Sequence, residues 1–319
     1  MRALVTGGAG FIGSHLVEGL LDREAEVRVI DDLSTGSFDN IAHLEDHPRF
    51  EYTIDTILDE SVMARLADGV DVIFHLAAAV GVEYVIENML KSLQINIRGT
   101  EVVLEVANRR KTKVILFSSS EVYGKANSIP FHEEHDRLLG PTTINRWSYA
   151  SAKAIDEILA LAYYREKKLP VTIVRCFNTC GPRQTGQYGM VIPRFVRQCL
   201  LGNPITVYGN GKQSRCFTAV EDVVRAVLGL AVNEKAVGEI FNIGSEQEIT
   251  IDGLAKKIKT MTGSNSSIDH IPYEKAYEQG FQDMQRRVPD LGKIRDLIGY
   301  EPRVSLEQII ESVIRYFEA

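Results

Sequence analysis

The amino-terminal segment joins a short apolar strand to a glycine-rich turn and then to a helix. Residues 2–6 read Arg-Ala-Leu-Val-Thr, residues 7–13 read Gly-Gly-Ala-Gly-Phe-Ile-Gly, and a helical pattern covers residues 14–21. In this context the helix directs free N–H groups and its positive end at a phosphate group. The arrangement is typical of the first unit of a doubly wound parallel sheet. We therefore predict an α/β fold with such a sheet and a smaller mixed α/β lobe at the C-terminal end.

The glycines of this turn have separate steric roles. Gly7 and Gly10 allow a tight turn in which the backbone approaches a pyrophosphate, and Gly13 lets the helix pack closely on the sheet. Phe11 and Ile12 lie between them. The G-x-x-G-x-x-G spacing differs from the G-x-G-x-x-G of simple dehydrogenases. We predict that all five residues contact a dinucleotide.

Acidic residues follow the second and third predicted strands. Asp31 comes 18 residues after Gly13, at the end of the strand 26–30. A carboxylate there can accept hydrogen bonds from the ribose hydroxyls and would repel a 2′-phosphate, which favours NAD over NADP. A strand-end Asp that only caps a turn is the alternative. Asp55, after the strand 50–54, is a candidate for the adenine amino group.

The fourth predicted strand, 71–75, ends in small residues that let a cofactor come close to the backbone. Leu76, Ala77 and Ala78 are predicted cofactor contacts for this reason. His75 precedes them and is interpreted as a hydrogen-bonded core histidine rather than a catalyst. Asn96, in the following helical segment, is a further predicted cofactor contact.

Hydroxyl groups and a carboxylate stand where the fifth strand, 113–117, ends. Ser119, Ser120 and Glu121 would lie in the crevice outside the carboxyl ends of the strands, where doubly wound sheets bind their ligands. They are candidate catalytic residues. A hydroxyl-rich turn with an exposed glutamate is the alternative.

Tyr149 and Lys153 form a Y-x-x-x-K pair at the start of a predicted helix, 149–168. Residues four apart lie on one helix face, so the ammonium would neighbour the phenol. Ionising a phenol near pH 7 requires its pKa to fall by about 3 units, or about 4 kcal/mol. Positive charge from Lys153 and from an oxidised nicotinamide would act in that direction. We predict Tyr149 as a base and Lys153 as its partner. An amphipathic helix with a buried Tyr and a snorkelling Lys is the alternative.

The β/α alternation weakens after the sixth strand, 171–177. We assign 1–178 to a dinucleotide-binding domain to which 216–244 returns, and 179–215 with 245–319 to a substrate lobe. Within the lobe, Arg287 is hard to explain as scaffold, although a solvated arginine is the alternative.

Composition excludes several classes of protein. The 319 residues carry a net charge of −7, which gives no indication of a nucleic-acid partner. The four cysteines form no C-x-x-C pair and no His/Cys cluster, so we predict no metal site and reduced thiols in a cytoplasmic protein. Strand-like residues begin at Arg2, which leaves no room for a signal peptide, and no apolar run reaches membrane-spanning length.

Five motifs occur in order along the chain: T-G-G-A-G-F-I-G-S-H, S-S-S-E-V-Y-G, Y-A-S-A-K, F-N-T-C-G-P-R and V-Y-G-N-G-K-Q-S-R-C-F-T. Together they resemble the nucleotide-sugar-modifying branch of the extended short-chain dehydrogenase/reductase family. The resemblance implies a Rossmann domain with tightly bound NAD, a lobe that binds a nucleoside diphosphate sugar, with UDP as the expected nucleotide, and a homodimer formed through helices 83–109 and 149–168. It also implies substrate contacts, which we place at Asn178, Val191, Val207, Tyr208, Lys212, Arg215 and Arg287.

Three chemistries within that branch share a 4-keto intermediate: decarboxylation, 4-epimerisation and 4,6-dehydration. Glu121 stands where plain epimerases usually carry a small residue, and Ser120 replaces the Asp of deoxythymidine-linked dehydratases. GDP-mannose dehydratases also have Ser-Glu. Residues 280–290, Gly-Phe-Gln-Asp-Met-Gln-Arg-Arg-Val-Pro-Asp, resemble a stretch of UDP-glucuronate decarboxylases. Its Arg287 suits two-point contact with a carboxylate. We therefore expect UDP-glucuronate decarboxylation, with 4-epimerisation of a UDP-sugar, 4,6-dehydration of a GDP- or TDP-sugar, or a non-catalytic NAD-sensing regulator as alternatives.

Overall fold

The computed structural model describes residues 1–126, 128–186, 189–276 and 284–318. Residues 280–283 of the decarboxylase-like stretch lie outside the described residues. The strands are β1 Arg2–Thr6, β2 Glu26–Asp31, β3 Phe50–Ile54, β4 Val72–His75, β5 Lys113–Ser119, β6 Val171–Cys176, β7 Thr179–Cys180, β8 Ile205–Tyr208, β9 Ser214–Cys216, β10 Thr218–Ala219, β11 Ile240–Ile243, β12 Glu248–Thr250 and β13 Ile268–Ile271.

Seven parallel strands form the central sheet in the order β11-β6-β5-β4-β1-β2-β3. The chain moves outwards from β1 to β3 and then crosses back to β4, so the order reverses between β1 and β4. Thr6 at the end of β1 is in register with Ile30 on one side and His75 on the other. The carboxyl ends of these strands therefore meet at one edge, the position at which such sheets bind ligands. The predicted doubly wound sheet is confirmed.

Helices cover both faces of the sheet. They are α1 Phe11–Leu21, α2 Glu60–Leu66, α3 Val82–Glu87, α4 Met89–Leu93, α5 Gly99–Arg110, α6 Ser148–Lys167, α7 Val191–Leu200, α8 Val220–Ala231, α9 Ile251–Met261, α10 Tyr273–Ala276, α11 Gly292–Ile298 and α12 Leu306–Glu318. One apolar core lies between the sheet and α1, α8 and α11, and a second lies between the opposite face and α2, α5 and α6. Burial of aliphatic side chains on both faces of the sheet stabilises the packing of helices against each face.

The predicted helix 83–109 is interrupted. Asn88 leaves the helical conformation between α3 and α4, and Gln94–Arg98 forms one π-helical turn before α5. A π turn rotates the following side chains relative to a regular helix. Within it, the Asn96 side chain turns inward and bonds to both backbone groups of Ala79. The irregular backbone therefore fixes the loop that follows β4.

The C-terminal lobe has a core of its own, formed by α7, α9 and α12. Two small sheets complete it: β8 pairs with β13 in parallel and β9 with β12 antiparallel. Between these segments the chain returns to the central sheet, where β11 pairs with β6. Among the described residues, no helix combines the length and apolar character that crossing a bilayer requires.

Candidate active site

The glycine turn has no space for side chains at its critical positions. Gly7 has a φ of +73°, and a Cβ there would lie 2.7 Å from the backbone nitrogen of Ala77. A Cβ on Gly13 would overlap the carbonyl oxygen of Gly7. The turn therefore lies directly against the loop that follows β4, and it lines a cavity of about 690 Å³, hereafter the first cavity. The space is consistent with the predicted dinucleotide site.

The Asp31 carboxylate connects two loops beside this turn. It accepts hydrogen bonds from the backbone N–H groups of Ala9 and Leu33, each 2.9 Å away. Burial raises the pKa of Asp31, although these donors act in the opposite direction. Asp31 therefore caps a turn and also lines the first cavity, and its contact with a ribose stays a prediction.

Tyr149 lies on the first turn of α6, where two cavities meet. Its ring lines the first cavity and also a second cavity of about 310 Å³ towards the C-terminal lobe. The Ser119 side chain lies close enough to the phenol to lower its pKa. Lys153, one helical turn further on, is buried and lines the first cavity. The predicted Ser/Tyr/Lys set is therefore assembled at the carboxyl ends of the strands.

Burial raises the pKa of Tyr149 above its ordinary value, and the negative charges of Glu121 and Asp156 add to this effect. The Ser119 side chain acts in the opposite direction. Lys153 Nζ lies 3.2 Å from Asp156 Oδ2, so much of its charge is balanced by a carboxylate. Burial and the nearby carboxylates therefore oppose the predicted lowering of the phenol pKa, whereas an additional positive charge beside the phenol would favour phenolate.

Glu121 bridges two buried arginines at the end of β5. Its carboxylate lies 2.6 Å from Arg146 Nη2 and 2.7 Å from Arg287 Nη2. Burial would raise the pKa of Glu121, but the two guanidinium groups lower it to about 2. Arg287 Nη1 also donates to Ser120 Oγ over 3.4 Å. Glu121 is therefore a carboxylate at neutral pH, and the alternative of an exposed glutamate is wrong.

The second cavity is lined by aromatic and cationic side chains. The guanidinium of Arg194 stacks on the Tyr208 ring, 4.0 Å from its centroid, and Tyr273 and Arg215 line the same cavity. Asn178 lines both cavities and donates from its amide to the Cys216 carbonyl over 2.8 Å. Stacking surfaces and guanidinium groups together suit a base linked to a diphosphate.

Comparison with known proteins agrees with this geometry. Residues 4–313 match the family model described as GDP-mannose 4,6 dehydratase. The chain belongs to this family. UDP-N-acetyl-alpha-D-glucosaminuronate decarboxylase of Bacillus cytotoxicus is 45% identical over 99% of this chain and 97% of its own length. UDP-glucuronic acid decarboxylase 1 of Xenopus tropicalis is 36% identical over 99% of this chain and 72% of its own length.

The fold of this chain also matches that of solved structures. UDP-glucuronic acid 4-epimerase of Bacillus cereus, solved with UDP-glucuronic acid and NAD, superposes with a TM-score of 0.90 at 29% identity. The alignment covers 100% of this chain and 99% of the epimerase. The resemblance to the nucleotide-sugar branch is thus confirmed, and family membership alone leaves decarboxylase, epimerase and dehydratase chemistry open.

Most of the predicted site residues of this family member line the two cavities. The cofactor-side residues that line the first cavity are Gly7, Gly10, Phe11, Ile12, Gly13, Asp31, Asp55, Leu76, Ala77, Ala78, Ser119, Ser120, Tyr149 and Lys153. The substrate-side residues that line the second cavity are Asn178, Val191, Tyr208, Arg215, Glu121 and Arg287.

Three predicted contacts lie elsewhere. Asn96 is buried and bonded to Ala79, so it positions a loop rather than lining either cavity. Val207 is buried in the core of the C-terminal lobe because its side chain points to the inner face of β8. Lys212 is exposed to solvent and lines neither cavity. Because side chains alternate along a strand, Val207 and Tyr208 lie on opposite faces of β8. Proximity to Tyr208 in the sequence therefore did not show that Val207 faces the core.

Sequence reasoning did not assign Arg146, Arg183 or Arg194 to the site. Arg183 lines the first cavity with a left-handed backbone, φ +68°, and its Nη2 lies 2.6 Å from Glu18. Its position at the end of F-N-T-C-G-P-R was the available signal. Arg194 gave no signal, because its role depends on the packing of α7 against β8.

Gly13→Ala is expected to destabilise the fold by roughly 1–3 kcal/mol and to abolish dinucleotide retention, because the added Cβ overlaps the Gly7 carbonyl. Thermal unfolding and the 260 nm absorbance of the purified protein would measure both effects. Gly229→Ala is the control: it also lies within a helix, but its Cβ would meet only the end of the Ile298 side chain, at 3.2 Å. Unchanged cofactor retention in Gly13→Ala would contradict the assignment.

Proposed function

We propose that the protein is an NAD-dependent decarboxylase of UDP-linked hexuronic acids, acting through a 4-keto intermediate. The observation that carries this proposal is the position of Tyr149 and Arg287 at the junction of the two cavities. A base that could act on the sugar 4-hydroxyl and a guanidinium that could bind the sugar carboxylate therefore line the same junction. The decarboxylases of Bacillus cytotoxicus and Xenopus tropicalis support the reaction type.

The residues of the first cavity fit NAD. The glycine turn brings the N-terminus of α1 to the position of a pyrophosphate, and the Asp31 carboxylate stands at the end of β2, where a ribose binds and a 2′-phosphate is repelled. Lys153 would hold the nicotinamide ribose. When bound, the cofactor would supply the hydride acceptor and the positive charge of its oxidised ring.

The chain's own groups then act on the sugar. Tyr149 accepts the proton of the 4-hydroxyl, and the Ser119 hydroxyl shares that hydrogen bond. Oxidation at carbon 4 makes the sugar a β-keto acid. The bond between carbons 5 and 6 can then break with loss of carbon dioxide, because the electron pair is delocalised into the ketone.

Arg287 is placed to engage the carboxylate and then the enolate that replaces it. Its guanidinium is already held by Glu121 and contacts Ser120, so it is pre-oriented. Because the pKa of Glu121 is about 2, this residue holds no proton at neutral pH. Glu121 therefore orients the Arg287 guanidinium and does not deliver a proton to carbon 5.

We further propose a cytoplasmic homodimer. Ile155 and Ile158 on α6 and Leu90 on α4 are large apolar side chains exposed to solvent. They lie on the two helical segments through which the family's dimers were expected to form, and a second copy would cover them. The four cysteines are free thiols, in accord with a reducing compartment.

The test is incubation of the purified protein with UDP-glucuronate and, separately, with UDP-N-acetylglucosaminuronate. We expect stoichiometric release of carbon dioxide and a UDP-linked pentose or 4-keto-pentose by mass spectrometry. The two substrates differ only at carbon 2, so their kcat/KM ratio assigns the preferred uronate. A product that retains all its carbons with inverted carbon 4 would instead identify an epimerase, and loss of water a dehydratase.

A further inference from the structure

A buried acidic side chain lies one helical turn beyond Lys153. Asp156 has no solvent-accessible surface, and its Oδ2 is 3.2 Å from Lys153 Nζ. A carboxylate in such a place is costly unless a nearby charge or donor compensates it. Neither proton transfer by Tyr149 nor ribose binding by Lys153 requires an acid at this position.

Polar side chains of β1, β4 and α5 form a hydrogen-bonded chain next to this carboxylate. Thr6 Oγ1 lies 2.8 Å from His75 Nδ1, His75 Nε2 lies 3.0 Å from Thr100 Oγ1, and the Thr100 hydroxyl donates to the Asn96 carbonyl over 2.7 Å. Burial raises the pKa of Asp156, and the Lys153 ammonium and the nearby Thr100 hydroxyl act in the opposite direction. The pKa of His75 is lowered to about 3 by burial and by the charge of Lys153, so the ring is neutral. The Lys153–Asp156 pair therefore packs against polar groups of α5 and β4 that carry no charge.

The other titratable groups that face this pair are neutral or already matched. Two are carboxylates paired with arginines: Glu157 on α6 pairs with Arg175 of β6 at 2.7 Å, and Glu121 after β5 pairs with Arg146 and Arg287. Three are neutral: His75 of β4, Tyr149, and Cys176 of β6, whose thiol pKa is raised to about 12. Asp156 is therefore the carboxylate that pairs with the Lys153 ammonium.

We propose that Asp156 is a positioning residue, which fixes the Lys153 ammonium beside the Tyr149 phenol and sets the pH range of proton removal. The inference rests on the proposed role of Tyr149 as the base. An ammonium stabilises phenolate, and a carboxylate beside that ammonium offsets part of the effect. Asp156 therefore restrains the side chain on which the base depends and moves its activity to higher pH.

The decisive variant is Asp156→Asn, which keeps the shape of the side chain and removes its charge. In the NAD-loaded enzyme we expect the acid limb of the kcat profile to move to lower pH by about one unit, because phenolate becomes easier to form. KM for the UDP-uronate should change less than about twofold, since Asp156 does not line either cavity. A limb that stays in place or moves to higher pH overturns the proposal.

A second readout does not need turnover. The difference in ultraviolet absorbance between the NAD-loaded protein and its Tyr149→Phe counterpart reports phenolate, and it should appear at lower pH in the Asp156→Asn background. If no UDP-uronate is consumed by the wild-type protein, the proposed function fails while this titration still decides the role of Asp156.

Two further variants complete the test. Glu166→Gln, an exposed residue near the end of the same helix, should leave the acid limb unchanged. Where Asp156→Asn does not fold, Asp156→Ala decides: it removes the same charge without leaving a buried polar group, so a shift of the acid limb in the same direction supports the proposal. An unchanged limb in Asp156→Ala then overturns it.

Discussion

Tyr149→Phe is expected to lower the kcat for UDP-glucuronate by about 10³-fold or more, with NAD still bound. The change deletes one hydroxyl at the junction of the two cavities and leaves the ring in place. General-base catalysis by a positioned side chain is typically worth 10²–10⁴-fold, and here hydride removal at carbon 4 cannot proceed without loss of the hydroxyl proton. Carbon dioxide release under saturating substrate measures the effect.

Tyr163→Phe is the matched control for this prediction, because it lies on the same helix and lines neither cavity. It should retain the activity of the wild-type protein. Cofactor content should be equal in both variants, which separates a lost base from a lost binding site. Full-speed turnover by Tyr149→Phe would remove the basis of the proposed mechanism.

Arg287→Gln is expected to reduce carbon dioxide release by about 10²–10³-fold, as is typical when a preorganised group that stabilises developing charge is removed. The guanidinium is buried, held by Glu121 and in contact with Ser120. Glutamine preserves much of the volume but has no charge with which to engage a carboxylate or an enolate. Oxidation at carbon 4 depends on Tyr149, so it should be affected much less.

The adjacent Arg286 provides an internal control. Its guanidinium is exposed and pairs with Glu248, so Arg286→Gln changes the same charge without entering either cavity. We expect less than about a twofold effect, since exposed ion pairs contribute little. Equal losses in the two variants would show that net charge, rather than the position of Arg287, governs the reaction. Retained decarboxylation in Arg287→Gln would favour another residue at the carboxylate.

The local pattern of the sequence was sufficient for the sheet and for most of the residues that line the first cavity. The glycine turn, the acidic residue ending β2 and the Y-x-x-x-K pair each depend on residues within one turn or one strand end. Parallel strands then bring their carboxyl ends to one edge, so residues as distant as Gly7, Ser119 and Tyr149 meet without further information. The joint motif pattern likewise sufficed to identify the family.

Only the tertiary structure decided how the charges are paired. Glu121 meets Arg287 because a C-terminal segment packs back onto the end of β5, and it meets Arg146 from the turn that precedes α6; no spacing in the sequence encodes these contacts. Lys153 and Asp156 lie three residues apart on α6, so helix geometry brings them together, but only the packing of α6 against the rest of the fold buries the pair and raises the pKa of the nearby Tyr149 phenol. The periodicity of the sequence determines which face of a helix or strand a residue occupies. The electrostatic field at an active site depends instead on which helices and strands pack together there and exclude water.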